Sequence, residues 1–283
     1  MSKLLNDFAE FVKENNVHIY TIAEAEGNNP PETVEINPGN PCQNSYSVSK
    51  FFTLTALGFL WDEGKVSLDE KITEILAPYC PPDMDTKWHQ ATVEMAIRHY
   101  CGLPEGYLDI DSLDSRTFGT DYLGYVLSCP VGDTTKYAYT DAEFYMLARV
   151  VSEKAGKNIY EYLWEKLFTP LGFSEVAWSC CPKHYPMGAT GLYIKTEDMV
   201  KLGALYLNNG VYNGKKLLSE EWINLVREKK YLFDTPGEGY GHGGMRGQNL
   251  MVLPKYGRAL AWHGFHEEGE TLLKWLTEYL GAL

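Results

Sequence analysis

Ser47 and Lys50 stand three residues apart in the stretch NSYSVSKFFT, where a run rich in Pro and Gly gives way to a long apolar segment. If a helix starts there, positions i and i+3 share one face with Cβ atoms about 5–6 Å apart, near enough for proton transfer between a hydroxyl and an amine. A helix N-terminus adds unpaired N–H groups and the positive end of the dipole, and both stabilise an alkoxide or a developing oxyanion. The pattern is therefore the outline of an activated serine nucleophile. Alone it is weak, because ordinary residue usage gives roughly one Ser-x-x-Lys by chance in a chain of this length. A helix cap followed by a solvent-facing lysine is spelled the same way.

The elements around the pair are readable from periodicity. The first residues carry a helical stripe of Leu4, Leu5, Phe8, Phe11 and Val12, followed by strand-like VHIYTIAEAEG and the alternating ETVEINPGNP. From about Ser47 to Glu63 the apolar run predicts a helix buried on most sides, with Asn44 and Ser45 as N-cap candidates. Helical patterns with capping residues then continue to about residue 228. QNLMVLP and GRALAWHGF, divided by PKYG, read as antiparallel strands, and EGETLLKWLTEYLGAL reads as a closing helix with Leu272, Leu273, Leu276, Tyr279 and Leu280 on one side. The glycine cluster GEGYGHGGMRG lacks the phosphate-loop pattern GxxxxGK[ST] and is expected to be a mobile loop leading into a strand. The implied fold is α/β of the α+β type: an antiparallel sheet of about five strands flanked by terminal helices, with an inserted, mainly helical domain. Residues 1–42 and 230–283 are expected to form the sheet domain and 43–229 the helical domain, with the active site in the cleft between them.

At 283 residues the chain can bury a sizeable core. Its formal net charge of -13 opposes a phosphate-binding surface, so nucleic acid is not an expected partner. The charged first helix reads as neither a signal sequence nor a membrane span, and the chain is expected to be cytoplasmic. The six cysteines form no paired CxxC knuckles and are expected to be free thiols, the adjacent Cys180 and Cys181 included. His263, His266, Glu267 and Glu268 invite a metal reading, but their spacing matches no defined zinc signature, so neither a metal nor a cofactor is expected.

Three longer blocks give the serine–lysine pair its setting. YSVSKFFTLTALGFLWDEGKVSLDEKITEILAPY, ATVEMAIRHYCGLPEG and PVGDTTKYAYTDAEFYMLARVVSEKAGKNIYEYLWEKLFTPLGFSEVAW together resemble the serine β-lactamase and penicillin-binding-protein superfamily. The likeness is to its class C β-lactamase-related esterases and peptidases, and it runs over nearly all of the chain. The resemblance implies that Ser47 is the acyl-accepting nucleophile and Lys50 its proton-transfer partner. The family's tyrosine-x-asparagine motif falls on Tyr139, Thr140 and Asp141, with Tyr137 a rival for the tyrosine role. Its KTG or HxG motif, on a sheet edge facing the serine, falls on His242, Gly243 and Gly244, and its following GQ on Gly247 and Gln248. The oxyanion hole would be the backbone N–H groups of Ser47 and Met245.

Two departures from the family pattern bear on mechanism. Asp141 stands where asparagine is usual; an anion paired with Lys50 would favour the charged amine and leave Tyr139 the better base. His242 replaces the lysine common in enzymes that act on penicillins, which weakens a fixed clamp for a substrate carboxylate. Arg246 restores some of that recognition if its side chain turns into the cleft. The implied activity is hydrolysis of a carboxylic ester, a small amide or a D-amino-acid peptide through an acyl-enzyme on Ser47, with deacylation by water activated at Tyr139 or Lys50. The alternatives are a β-lactamase, a penicillin sensor that acylates without turnover, and a protein whose role is purely structural.

Overall fold

The computed structural model describes residues 1–266 and 269–282. In chain order it has helix α1 (Lys3–Glu14), strands β1 (Ile19–Glu26), β2 (Glu32–Glu35) and β3 (Cys42–Asn44), and helix α2 (Ser49–Asp62). Helices α3 (Ile72–Ile75), α4 (Val93–Ile97), α5 (Tyr122–Leu127), α6 (Asp141–Ala155) and α7 (Ile159–Leu163) follow. Next come β4 (Val176–Trp178), β5 (Leu192–Lys195), α8 (Thr196–Leu207), the short pair β6 (Val211–Tyr212) and β7 (Lys215–Lys216), and α9 (Glu220–Glu228). The chain ends with β8 (Phe233–Thr235), β9 (Gly239–Gly244), β10 (Gln248–Leu253), β11 (Arg258–Gly264) and α10 (Gly269–Gly281).

These elements form two compact units. The first comprises residues 1–51, 167–177 and 192–283, and the second residues 52–166 and 178–191, so that one division falls inside α2. The boundaries expected from the sequence lay at residues 43 and 229. Helix α8 carries apolar side chains on most of its surface and lies against β1, β10 and β11, so it belongs with the sheet although it follows the helical run in sequence.

The sheet of the first unit has six strands in the order β2-β1-β11-β10-β9-β8, and every pairing is antiparallel. Its two faces follow from alternation along each strand. Leu260 and Trp262 of β11, Met251 and Leu253 of β10 and Ile22 of β1 meet Leu4, Leu5 and Phe8 of α1 and Leu272, Leu276 and Leu280 of α10 in one apolar cluster. On the opposite face small residues admit α8 closely: a Cβ on Gly203 of α8 would sit 2.8 Å from the Ala259 Cβ. The expected mobile glycine loop is instead strand β9, paired with β10 from Tyr240 to Gly244. Glycine is required there because a Cβ on Gly241 would lie 2.0 Å from the Leu250 carbonyl oxygen. Pairing with β8 covers only Gly239–Gly241, which leaves His242–Gly244 as edge. A smaller sheet has the order β3-β5-β4.

In the second unit α6 is the central element, buried at every position from Asp141 to Ser152 and packed by α3, α4, α5 and α7. Gly188 fits between Phe144 and Ala148 only because it has no side chain; a Cβ there would lie 2.5 Å from the Ala148 Cβ. The Arg149 guanidinium is buried against the Tyr185 and Tyr79 rings, 3.5 and 4.6 Å from their centroids. All six cysteines are free thiols. Among the described residues no helix is long and apolar enough to cross a membrane.

Candidate active site

The first unit brings together Ser47, Lys50, His242, Gly244, Met245 and Arg246. Ser47 lies in a single 3-10 turn, Tyr46–Val48, that runs directly into α2. The turn is tied on all sides. The Asn44 Oδ1 accepts the Tyr46 N–H (2.9 Å), the Ser49 hydroxyl donates to the Tyr46 carbonyl (2.6 Å), and the Ser45 N–H donates to the Leu192 carbonyl (2.8 Å). Tyr46 adopts φ 45°, the left-handed region that is uncommon for a residue with a side chain. A turn so constrained presents the Ser47 hydroxyl from the first turn of a helical segment, where N–H groups lack intrahelical partners.

Lys50, one turn on, is fully buried, and its Nζ donates to the Ser47 Oγ over 3.2 Å. The i, i+3 geometry expected from the spacing is present. The apolar residues behind Lys50, Phe51 and Phe52 among them, are buried without interruption to Leu60, so the lysine stem is held and only its amine end is directed at the serine.

Strand β9 approaches this turn with its last residues. A Cβ on Gly244 would fall 2.5 Å from the Ser45 carbonyl oxygen and 3.2 Å from the Tyr46 Cβ, so backbone approaches backbone here at a distance only glycine permits. His242 is buried, packs edge-on against Phe233 with centroids 5.0 Å apart, and its Nδ1 lies 2.6 Å from the Gly243 carbonyl. That contact needs a proton on Nδ1, the carbonyl being an acceptor only. Beyond Gly244 the chain turns at Arg246, φ 61°, whose guanidinium lies 5.0 Å from the centre of the Phe265 ring. The buried Gln248 amide secures this turn. Its Nε2 donates to the Met245, Arg246 and Gly264 carbonyls and its Oε1 accepts the Gly264 N–H. Met245, Phe233 and Phe265 are exposed at 38%, 46% and 53%, open apolar surface beside the His-Gly-Gly segment.

Tyr139 and Asp141 belong to the second unit. Tyr139 is half-buried just before α6, while Tyr137 is half exposed. Thr140 caps α6: its Oγ1 accepts the Glu143 N–H (3.3 Å) while its hydroxyl donates to Glu143 Oε2 (2.8 Å). The buried Glu143 carboxylate also accepts the Cys101 N–H (2.9 Å) and lies 2.7 Å from His99 Nδ1. The His99 ring is in turn 4.6 Å from the Tyr139 ring, and the His99 carbonyl accepts the Ala138 N–H. Tyr139 is thus positioned by a His99–Glu143 pair that the sequence reading passed over, although Thr140 and Glu143 spell a capping box. Asp141 is nearly buried at the first position of α6, where the helix dipole favours an anion. Its carboxylate and those of Asp109 and Asp111 lie within 4.8 Å of one another, and Asp111 accepts a hydrogen bond from Thr190. Of the residues in the metal reading, Glu267 and Glu268 lie outside the described residues, while His263 is buried within β11.

An antiparallel sheet with both terminal helices on one face and α8 on the other, a helical unit inserted in sequence, and a serine–lysine turn met by a His-Gly-Gly strand end define a β-lactamase-type hydrolase. The chain belongs to the Beta-lactamase family, whose model matches residues 38–271, and with it to the serine β-lactamase and penicillin-binding-protein superfamily. It is 24% identical over 264 residues to "Penicillin-binding protein 4" of Amycolatopsis lactamdurans, covering 74% of this chain and 67% of that protein. Its fold is similar to that of a penicillin-binding protein homolog from Caulobacter crescentus (TM-score 0.76, 13% identity, 99% of this chain and 96% of the other). It is similar too to that of a D-stereospecific amidohydrolase from Streptomyces sp. (TM-score 0.71, 14% identity, 95% and 97%).

Proposed function

We propose that this chain is a serine hydrolase that forms an acyl-enzyme on Ser47 and hydrolyses a carboxylic ester, a small amide or a D-amino-acid peptide. The observation that carries the reading is the 3.2 Å hydrogen bond from the fully buried Lys50 amine to the Ser47 hydroxyl at a helix start. In this scheme Ser47 Oγ attacks the carbonyl carbon and its proton leaves to Tyr139, the general base assigned by its place in the family pattern, or to Lys50. The resulting oxyanion is held by the Ser47 and Met245 N–H groups. Collapse of the tetrahedral intermediate expels the alcohol or amine, which takes up the proton. Water then attacks the acyl carbon, the same base accepts its proton, and the serine hydroxyl is restored.

Two features favour an ester or amide over a penicillin. The position of a fixed lysine cation is taken by His242, buried beside Phe233, and the surface next to it is apolar, with Met245 and Phe265 exposed. The similarity in fold to a D-stereospecific amidohydrolase supports an amide or D-peptide as readily as an ester.

Intact-mass measurement after mixing with a fluorophosphonate, a penicillin and a p-nitrophenyl ester tests the proposal. A phosphonyl adduct on Ser47 with ester turnover that Ser47→Ala lowers by at least about 10³-fold supports it. A rapid burst leaving a stable penicillin adduct indicates a sensor instead. Absence of any adduct, with ester turnover unchanged in Ser47→Ala, would refute it.

A further inference from the structure

Strand β11 carries one polar side chain into the interior on the face it shares with Ala259 and Ala261. His263 has no exposure to solvent. Its Nε2 lies 3.1 Å from the Ser45 hydroxyl and its Nδ1 2.8 Å from the Thr196 hydroxyl at the start of α8. A hydroxyl can donate or accept, so two of them satisfy both nitrogens of a neutral ring without water. Burial pushes the imidazole down to about 3, and the ring stays neutral through the range in which ordinary histidine titrates.

The unusual partner is Ser45. It occupies the N-cap position of the Tyr46–Val48 turn, where a serine hydroxyl normally accepts a backbone N–H of the first turn, yet it makes no such bond. Its hydroxyl is given to His263 instead, while its carbonyl accepts the Val48 N–H over 3.1 Å. Ser45 is therefore anchored from the sheet, two residues before the nucleophile, and Tyr46 between them is held at φ 45°. A left-handed non-glycine residue persists only where its surroundings over-determine it. His263 is the side chain that ties this segment to the centre of the sheet, 218 positions away in sequence.

We propose that His263 is a positioning residue for acyl transfer: braced on Thr196, it fixes Ser45 and, through the constrained Tyr46, sets the direction of the Ser47 hydroxyl. This rests on Ser47 being the nucleophile. His263→Leu, His263→Gln, Ser45→Ala and the double variant Ser45→Ala/His263→Leu are compared with wild type for kcat and KM on p-nitrophenyl acetate, rate of fluorophosphonate labelling and melting temperature. Leu276→Ala, a cavity in the same unit's other core face, is the control for lost stability.

A misdirected hydroxyl lowers kcat and the labelling rate by about 10–100-fold with KM nearly unchanged, since a displacement near 1 Å has that effect on an attacking group. Ser45→Ala shows a similar loss, the double variant is no worse than His263→Leu alone, and His263→Gln, which keeps a donor and an acceptor, recovers most of the rate. Three results would overturn the inference: kcat within about twofold of wild type in His263→Leu, losses that multiply in the double variant, or an equal kcat loss in Leu276→Ala. Wild type and Ser47→Ala are measured first. A wild type without Ser47-dependent turnover or labelling removes the acyl-enzyme reading and this inference with it, whereas active wild type with an indifferent His263 removes the inference alone.

Discussion

Gly244→Ala adds one methyl group at the point where β9 meets the nucleophile turn. The Gly244 backbone, φ -135° and ψ 158°, is ordinary extended chain that alanine adopts freely, so only contacts decide the outcome. The new Cβ would lie 2.5 Å from the Ser45 carbonyl oxygen, 3.1 Å from the Gln248 Cβ and 3.2 Å from the Tyr46 Cβ. Bringing the first of these to a tolerable separation requires strand and turn to part by about 0.5–0.9 Å, in an interior that does not yield smoothly. The Ser45 carbonyl also accepts the Val48 N–H, so the displacement passes into the turn that carries Ser47. A shift of that size lowers kcat/KM for ester hydrolysis by about 10–100-fold, equivalent to about 1.4–2.7 kcal/mol of transition-state stabilisation. Overpacking lowers folding stability by about 1–3 kcal/mol. One residue earlier, a Cβ on Gly243 meets nothing nearer than the Asn249 side-chain nitrogen at 3.7 Å, so Gly243→Ala loses no more than about threefold in kcat/KM. Initial-rate assays on p-nitrophenyl acetate with urea unfolding of both variants check the pair. Folded Gly244→Ala with wild-type kcat/KM, or equal losses at both positions, would refute the close-approach argument.

Replacing Lys50 with methionine removes the fully buried amine that bonds Ser47; in initial-rate assays kcat falls by at least about 10²-fold while the variant stays folded. Asp141→Asn removes one of three carboxylates lying within 4.8 Å of one another, and ester turnover should be kept or increased; complete loss of activity in a folded variant would contradict it. Glu143→Leu strips acceptors from His99, Cys101 and Thr140 in a buried setting, and urea unfolding should show a loss of about 3 kcal/mol or more. The His263 imidazole, lowered to about 3 and faced by two hydroxyls, is neutral in the folded chain while the unfolded chain takes up a proton below about 6.5. Stability therefore falls with pH through that window, by about 2 kcal/mol between pH 7 and pH 5 from this group alone, and His263→Gln should show a correspondingly shallower fall.

The elements whose signals are local were legible. The i, i+3 relation of Ser47 and Lys50, the stripe of α1, the alternation of β10 and β11 and the apolar side of α10 depend on residues within one or two turns or a single strand. The glycines of β9 misled, because a cluster of glycines signals backbone freedom in a loop and close backbone approach in a strand equally well. Gly241 and Gly244 are of the second kind, and only the neighbouring carbonyls of Leu250 and Ser45 reveal it. Likewise α8 continues the helical run in sequence, yet its partners are β1, β10 and β11.

By itself, then, the sequence determined the types of α1, α2, β1, β10, β11 and α10, the serine–lysine pair and the positions of the other motifs, since each is a pattern of side chains at short spacing, while β9 and the short strands β4 to β7 inside the helical run were not legible. Tertiary structure alone decided which face of β11 His263 occupies, that it meets Ser45 and Thr196, and that Glu143 stands behind Tyr139 through His99. A buried polar side chain takes its meaning from the partners that satisfy it, and here those partners come from 44 to 218 residues away.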